Sequence, residues 1–486
     1  MKKNMRKLFK DSKMKPNRRD FVKYSLGGIL AASTAGAMAA KGSAKKAASG
    51  KKKNVLFIIV EDLKNIMGCY GNPLVQTPNM DRLAQMGLKF DRAYCQYPVC
   101  NPSRSSFMTG LAVDTVGIYD NVTPWTKNIG HVMTMNRFFK DNDYHTIRLN
   151  KIFHGTEHHD DPEGWSEMYN IGSSKLGRTG EKRNLTGGEV PWCYWQAANG
   201  TDEDQQDGAM TKKAVELLKE KREKPFFMAL GLAKPHDPFD APKKYFDMYN
   251  LDELMPPLLP ENRYPEKEYT IQSGWKDSFD KFTLQDKKEY LRAYYACTSF
   301  VDGQIGKVMK AMDDESLWKD TIVLFIGDHG YNLGEHDWWN KNVLFEDSCR
   351  VPMIAVIDGE TKAGTTCGEL VELIDIFQTF ADLCGLKTPK GLEGLSFRPL
   401  FSDPYRKWKK GAYSQVRRRG ELNGMSVRSK RFRYIEWQQK DKVIARELYD
   451  HASDAGEYRN LAKVKEFAGI CKELSKLLKT GHNQLE

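Results

Sequence analysis

The segment Cys100-Asn101-Pro102-Ser103-Arg104-Ser105-Ser106-Phe107-Met108-Thr109-Gly110 places a cysteine two residues ahead of a proline. Proline is well tolerated at a helix start, because the N–H it lacks has no partner there. Cys100 is therefore expected beside a helix N-terminus, whose free N–H groups favour negative charge. That is a place for an anion, although a buried cysteine ahead of an ordinary helix would read the same way. Chemically complementary groups recur elsewhere: carboxylates at Glu61-Asp62 and Asp328, imidazoles at His154, His236 and His329, and amines at Lys151 and Lys234.

These groups need elements to bring them together. Four apolar, strand-like runs precede them: Asn54–Val60 before Glu61-Asp62, His145–Leu149 before Lys151 and His154, Pro225–Gly231 before Lys234-Pro235-His236, and Thr321–Ile326 before Asp328-His329. Continuous β-branched runs are what strands buried on both faces look like. Helical patterns fill the intervals, over Met80–Met86, Met210–Lys219 and Lys287–Met312. Alternating strands and helices predict a doubly wound α/β sheet, with ligands at the carboxyl ends of its strands. A polar residue after one strand is ordinary loop chemistry; four such ends carrying complementary groups predict one shared rim.

Cys-x-Pro-Ser-Arg with Thr109-Gly110 following resembles the signature of the type I sulfatases, in which that cysteine is oxidised to formylglycine. The resemblance extends to Glu61-Asp62-Leu63, Gly68–Gly71, Thr77–Asn79, Lys151-x-x-His154, Lys234-Pro-His236, Asp328-His-Gly330, Leu333–His336, residues 293–306 and residues 447–461, so it spans about 54–462. The Lys-x-x-His, Lys-Pro-His and Asp-His-Gly forms are most similar to the iduronate-2-sulfatases and their bacterial relatives.

The resemblance implies an alkaline-phosphatase-like fold, a large mixed sheet sandwiched by helices with a small C-terminal antiparallel-sheet subdomain. It also implies a sulfuric ester hydrolase acting on a sulfated carbohydrate, uronate-2-sulfate being one form. A sulfate monoester repels nucleophiles and has a poor leaving group, so the site must supply positive charge and a proton. Glu61, Asp62, Asp328, His329 and oxidised Cys100 would surround one divalent ion, Ca²⁺, which prefers oxygen ligands. Glu61 stands where the family usually has Asp, and imidazole is a poor calcium ligand, so His329 would hydrogen-bond a ligand or the nucleophile instead. Hydrated formylglycine at position 100 would attack sulfur to form a covalent sulfo-enzyme. His236 would protonate the leaving oxygen, and His154 would take a proton as sulfate is expelled. Lys151 and Lys341 would hold sulfate oxygens, and Arg104 would secure the nucleophile's loop.

The net charge of +11 over 486 residues is misleading about partners. Residues 1–53 carry +14, which leaves −3 for the remainder, so nucleic-acid binding is not expected. That front reads as a targeting segment, with Arg18-Arg19-Asp20-Phe21 ahead of the apolar run Leu26–Ala40. The expectation is a twin-arginine signal over 1–40, a basic linker over 41–53, a catalytic domain over 54–400 and a C-terminal α+β subdomain over 401–486. Export through the Tat machinery to the periplasm or beyond follows, with maturation by a formylglycine-generating enzyme and no stable membrane span. The nine cysteines have no zinc-finger spacing.

Several stretches remain open. Tyr169–Gln206 lacks clear periodicity and is expected to form a rim over the site. Glu157-His158-His159-Asp160-Asp161 reads as loop or substrate rim rather than a metal cluster, and Arg417-Arg418-Arg419 as a solvated face. Two other functions fit the residues: a phosphate or phosphonate monoester hydrolase of the same superfamily, and a non-catalytic binder of sulfated polysaccharide with Cys100 unconverted.

Overall fold

A computed structural model describes residues 52–124, 132–155, 160–261, 263, 269–440, 442–482 and 485. The signal expected over 1–40, nearly all of the 41–53 linker and residues 157–159 lie outside the described residues.

Period-two alternation of apolar side chains sorts the central strands onto two cores. In β1 (Asn54–Val60), Leu56, Ile58 and Val60 join one cluster while Val55, Phe57 and Ile59 join the other. The same split runs through β7 (Phe226–Leu232) and β9 (Thr321–Gly327), so these strands are buried on both faces. With β2 (Leu88–Tyr94), β3 (His145–Leu149), β4 (Glu167–Tyr169), β10 (Arg350–Val356) and β11 (Thr365–Glu372) they form an eight-stranded sheet ordered β11-β2-β10-β9-β1-β7-β3-β4. Only β10 runs against its neighbours, which makes the sheet mixed.

Helices cover both faces. The 31-residue helix Leu284–Asp314 starts at a capping box between Thr283 and Asp286 and packs Tyr290, Tyr294, Phe300 and Val301 into one core. The helices Cys100–Thr109, Met135–Asp141 and Ile376–Leu383 fill the other with Phe107, Phe138, Phe139, Phe377 and Phe380. This is the doubly wound, helix-sandwiched α/β arrangement that the sequence predicts.

The C-terminal part is an antiparallel meander of β12 (Ala412–Arg418), β13 (Leu422–Arg428), β14 (Phe432–Gln439) and β15 (Lys442–Asp450). One face delivers Val416, Ile435 and Trp437 to the main core, and the other packs Val427, Tyr434 and Leu448 under the helix Ala468–Leu478. The aperiodic stretch Tyr169–Gln206 contains two strands: β5 (Gly180–Asn184) and β6 (Tyr194–Ala198) pair with each other, and β6 pairs with β8 (Phe239–Pro242). The polar, exposed face of β5 concealed it from a hydrophobic pattern. All nine cysteines are free thiols.

Candidate active site

Four adjacent parallel strands, β9-β1-β7-β3, end on one edge of the sheet and deliver the expected groups there. Val60 is level with both Leu232 and Gly327, so Glu61-Asp62, Lys234-Pro235-His236 and Asp328-His329 leave the sheet side by side. Leu149 on β3 is level with Leu230, which brings in Lys151 and His154. Cys100 is the first residue of a helix in which all ten residues are buried. Its thiol therefore lies at a helix N-terminus, where partial positive charge collects.

Around Cys100 the side chains converge. Lys341 Nζ donates to its Sγ at 3.3 Å and His329 Nε2 lies 3.4 Å away, while Asp62 Oδ1 is 3.9 Å distant. Burial alone would raise the thiol pKa, but Lys341, Lys151 and His329, with a hydrogen bond from His154, hold it well below the usual value. Position 100 is thus built for an anion.

The carboxylates are each matched to a cation. Asp62 receives Lys341 Nζ at 2.6 Å and 2.7 Å on its two oxygens, and its backbone adopts a left-handed φ of 58° after β1. Burial raises its pKa to about 6 against the pull of His236, Lys341 and His329. Asp328 accepts from Arg104 Nε at 2.8 Å, both side chains being fully buried, and its Oδ1 accepts from the backbone N–H of Asp62 and of His329 at 2.9 Å each. Burial would raise Asp328, yet His329 and Arg104 hold it below the ordinary carboxylate value. Glu61 pairs with Lys151.

Arg104 also donates through Nη1 to the carbonyls of Lys151 and Ile152 at 2.7 Å and 3.0 Å, tying the nucleophile's helix to the β3 loop. Its Nη2 is buried without a partner. His236 turns Nδ1 to the carbonyl of Asp237, leaving Nε2 3.8 Å from Glu61 and 3.9 Å from Asp62. Burial would depress this imidazole, but Asp62 in particular raises it to about 10. Lys234 donates to the carbonyls of His236 at 3.1 Å and Pro238 at 2.6 Å, so it braces the His236 turn.

Cys100, Asp328 and His329 form one group of possible cation donors within 4.8 Å of one another. His329 Nε2 links it to Asp62, standing 3.2 Å from Asp62 Oδ1, 3.8 Å from Asp328 Oδ1 and 3.4 Å from Cys100 Sγ, with Asp62 Oδ1 3.9 Å from that sulfur. Ligands about 2.3–2.6 Å from a shared ion and at right angles are about 3.3–3.7 Å apart. Glu61 groups instead with Asp62, Cys100 and His236 within 4.8 Å.

Two supports were not legible in the sequence. Tyr294 OH donates to the carbonyl of Asp62 and accepts from the N–H of Lys64 at 3.0 Å, clamping the turn after β1. Arg418, expected on a solvated face, is buried and bonded to the loop that carries Lys341. Alternation along β12 is the signal that separates it from Arg417 and Arg419. Arg417 stacks over Tyr119 at 4.6 Å.

Comparison with known proteins gives consistent matches. The family described as Sulfatase matches residues 53–386, and that described as N-sulphoglucosamine sulphohydrolase, C-terminal, matches residues 334–484. The chain is 31% identical over 471 residues to a Homo sapiens iduronate 2-sulfatase, covering 79% of this chain and 84% of that protein. A structure solved in complex with its substrate D-glucosamine-2-N,6-O-disulfate superposes with a TM-score of 0.72 at 22% identity, covering 88% of this chain and 97% of the other. A phosphonate monoester hydrolase of Agrobacterium radiobacter superposes with a TM-score of 0.75 at 21% identity, covering 88% and 95%. These two likenesses establish the fold.

Proposed function

The chain belongs to the sulfatase family, and from that premise we propose that it hydrolyses sulfate esters on sulfated polysaccharide fragments through a formylglycine made from Cys100, with one Ca²⁺ ion. The observation that carries this reading is Cys100 Sγ at a helix N-terminus with Lys341 at 3.3 Å and His329 at 3.4 Å.

When formed, formylglycine supplies a hydrated aldehyde whose oxygen is a nucleophile of the right charge for this pocket. Arg104 Nη2, buried and unpartnered beside it, is a donor ready for the added oxygen. Lys341 and Lys151 would bind the sulfate oxygens, since both ammoniums act on position 100. His236, with Nε2 turned into the cluster and Nδ1 fixed on a backbone carbonyl, would hold the proton for the leaving sugar oxygen. His154, hydrogen-bonded to position 100, would take the proton from the second hydroxyl.

Asp62 and Asp328 would hold the cation, with Glu61 beside Asp62 and Cys100 in the neighbouring group of donors. Ca²⁺ is favoured by the carboxylate oxygens, and a bound divalent ion supplies Lewis-acid stabilisation of charge. His329 would serve the nucleophile rather than the ion, as its 3.4 Å approach to Cys100 suggests.

Uronate-2-sulfate is the favoured ester, on the likeness to an iduronate 2-sulfatase. Maturation by a formylglycine-generating enzyme, a twin-arginine signal over 1–40 and a periplasmic or secreted location complete the reading, on the strength of Cys100–Arg104 and Arg18-Arg19. No helix among the described residues is long and apolar enough to cross a membrane.

Peptide mass spectrometry of protein co-expressed with a formylglycine-generating enzyme tests the nucleophile, with calcium-dependent sulfate release as the second readout. Unconverted Cys100 in active protein would defeat the reading. The fold shared with a phosphonate monoester hydrolase supports a second reading, hydrolysis of phosphate or phosphonate esters. Higher kcat/KM on phenyl phosphonate than on aryl sulfate would favour it.

A further inference from the structure

Among the described residues, three carboxylates stand within ion-pair reach of His236: Glu61 and Asp62 at Nε2, and Asp237, whose Oδ1 is 3.4 Å from Nδ1. The first two belong to the cluster around Cys100, and Asp237 does not. Its side chain is 9% exposed. A carboxylate withdrawn that far from water is costly unless it is paired. The nearby lysines are engaged elsewhere, Lys234 with Asp240 and Lys341 with Asp62. Among the described residues His236 is the only ion-pair partner that Asp237 has.

The second oxygen of Asp237 is held from the core. Tyr331 OH, fully buried, donates to Oδ2 at 3.2 Å and lies 2.7 Å from the buried Tyr290 OH. Tyr290 OH in turn reaches the carbonyl of Trp339 at 2.7 Å, on the loop that leads to Lys341. A phenol has a single proton, and of these acceptors the carboxylate alone is charged, so the Tyr331 proton belongs to Asp237. On the ring side, Nδ1 faces two oxygens, the backbone carbonyl and the carboxylate of Asp237. A ring nitrogen set against two acceptors carries a proton. Nε2 is then the nitrogen whose proton is free to leave.

We propose that Asp237 is the positioning residue of the general acid: held by Tyr331, its carboxylate keeps a proton on Nδ1 of His236 and turns Nε2 toward the leaving oxygen. This rests on the sulfate-ester reading above. As the S–O bond breaks, its electron pair stays on the leaving oxygen, which takes the proton from Nε2. The ring is left neutral, with its Nδ1 proton still directed at Asp237. A carboxylate that fixes the tautomer and orientation of a histidine acts through that histidine and touches no substrate.

Asp237→Asn tests it, because asparagine keeps the size and the backbone carbonyl and removes the charge. Tyr331→Phe is the second variant, which releases the carboxylate and removes no atom bonded to the ring. The substrates are 4-nitrophenyl sulfate, phenyl sulfate and the fastest of the 2-O- and 6-O-sulfated disaccharides from heparin. The expected result is a loss of kcat that grows with leaving-group pKa, about 10-fold or more on the disaccharide and under about threefold on 4-nitrophenyl sulfate, with a smaller loss of the same sense in Tyr331→Phe. In a His236→Ala background Asp237→Asn should cost under about twofold more on any of them, since residues that act as a unit are not additive. Equal losses across leaving groups, as folding damage or a role through Lys341 would give, overturn the proposal, and so does additivity with His236→Ala. If the wild type desulfates nothing, the sulfatase reading fails by itself, and ¹⁵N spectra of histidine-labelled protein decide. The His236 Nδ1 signal, assigned by its absence in His236→Ala, should then move in Tyr331→Phe but not when Tyr331→Phe is added to Asp237→Asn. A signal unmoved by Tyr331→Phe, or moved alike in both backgrounds, overturns it.

Discussion

Arg418 Nη2 donates to the carbonyl of Asn342 at 2.7 Å, while Nη1 of the same guanidinium reaches the Asn342 side chain at 3.1 Å. Asn342 follows Lys341 and in turn donates its backbone N–H to Pro98 at 3.0 Å, just ahead of Cys100. Arg418 also bonds the carbonyls of Tyr269 and Thr270, so all its named acceptors are uncharged, and burial brings its pKa down to about 10. The C-terminal meander thereby pins the turn that aims Lys341 at Asp62 and Cys100. Arg418→Met should cost about 2–3 kcal/mol of stability by stranding buried carbonyls, and should lower kcat on aryl sulfates about 10-fold through Lys341. Arg418→Lys keeps the charge without the planar fork, so it should recover stability more than kcat. Melting curves and steady-state kinetics at a temperature where each variant is folded separate the two effects. Unaltered kcat in folded Arg418→Met would mean that Lys341 is held by other contacts.

His236 presents Nε2 toward Glu61 and Asp62, and in the proposed mechanism it carries the proton to the leaving oxygen. A sugar alkoxide needs that proton far more than a nitrophenolate does. His236→Ala should reduce kcat on sugar sulfates about 100-fold or more but on 4-nitrophenyl sulfate less than about 10-fold. The check is a comparison of kcat across leaving groups of graded pKa. Equal losses on both substrates would remove His236 from this role.

Asp62 Oδ1 and Asp328 Oδ1 stand 3.2 Å and 3.8 Å from His329 Nε2, and the two carboxylates are the oxygen donors proposed for the cation. A divalent ion that binds only the folded chain raises its stability by about 2.7 kcal/mol at 100 times its dissociation constant. Added Ca²⁺ should raise the unfolding midpoint of chelator-treated protein, and Mg²⁺ should do so less, since it demands stricter octahedral geometry. Differential scanning calorimetry with and without each ion reads this directly. Asp62→Asn should abolish the Ca²⁺ shift; its persistence there would place the ion elsewhere.

The parts of the site that follow strands were readable because burial on both faces makes β1, β7 and β9 nearly continuous apolar runs that end abruptly in polar groups. By contrast, β2, with the sequence Leu-Lys-Phe-Asp-Arg-Ala-Tyr, carries polar residues through its middle, and β5 has four exposed residues, so neither stands out. The family resemblance pointed to Cys100, Arg104 and Lys341, but not to what holds them. Arg418 and Tyr294 lie 318 and 194 positions from Cys100 and act through backbone carbonyls, so alternation along β12 could mark Arg418 as buried but only tertiary structure discloses what either one holds.

Acid should expose a different dependence, at Asp202 and remote from the nucleophile in sequence. Burial would raise this carboxyl, but Lys244 paired with it at 2.7 Å and hydrogen bonds from Lys307 at 2.9 Å and Gln304 at 3.1 Å bring it down to about 2. In the unfolded chain it titrates near about 3.9. A group whose pKa is depressed by folding stabilises the native state above the unfolded value, and that contribution is lost as pH falls through the native one. Its contribution is therefore full above about pH 4 and fades toward pH 2. Lys244 and Lys307 are 61% and 40% exposed at their side chains, so solvent screening limits it. About 1–2 kcal/mol is expected. Asp202→Asn should thus be less stable than wild type by about that amount at pH 6 and nearly equal to it near pH 2.5. Urea denaturation across pH 2.5–6 measures the difference and cancels the other carboxylates common to both proteins. A constant gap over this range would mean that the asparagine loses packing or hydrogen bonds rather than charge.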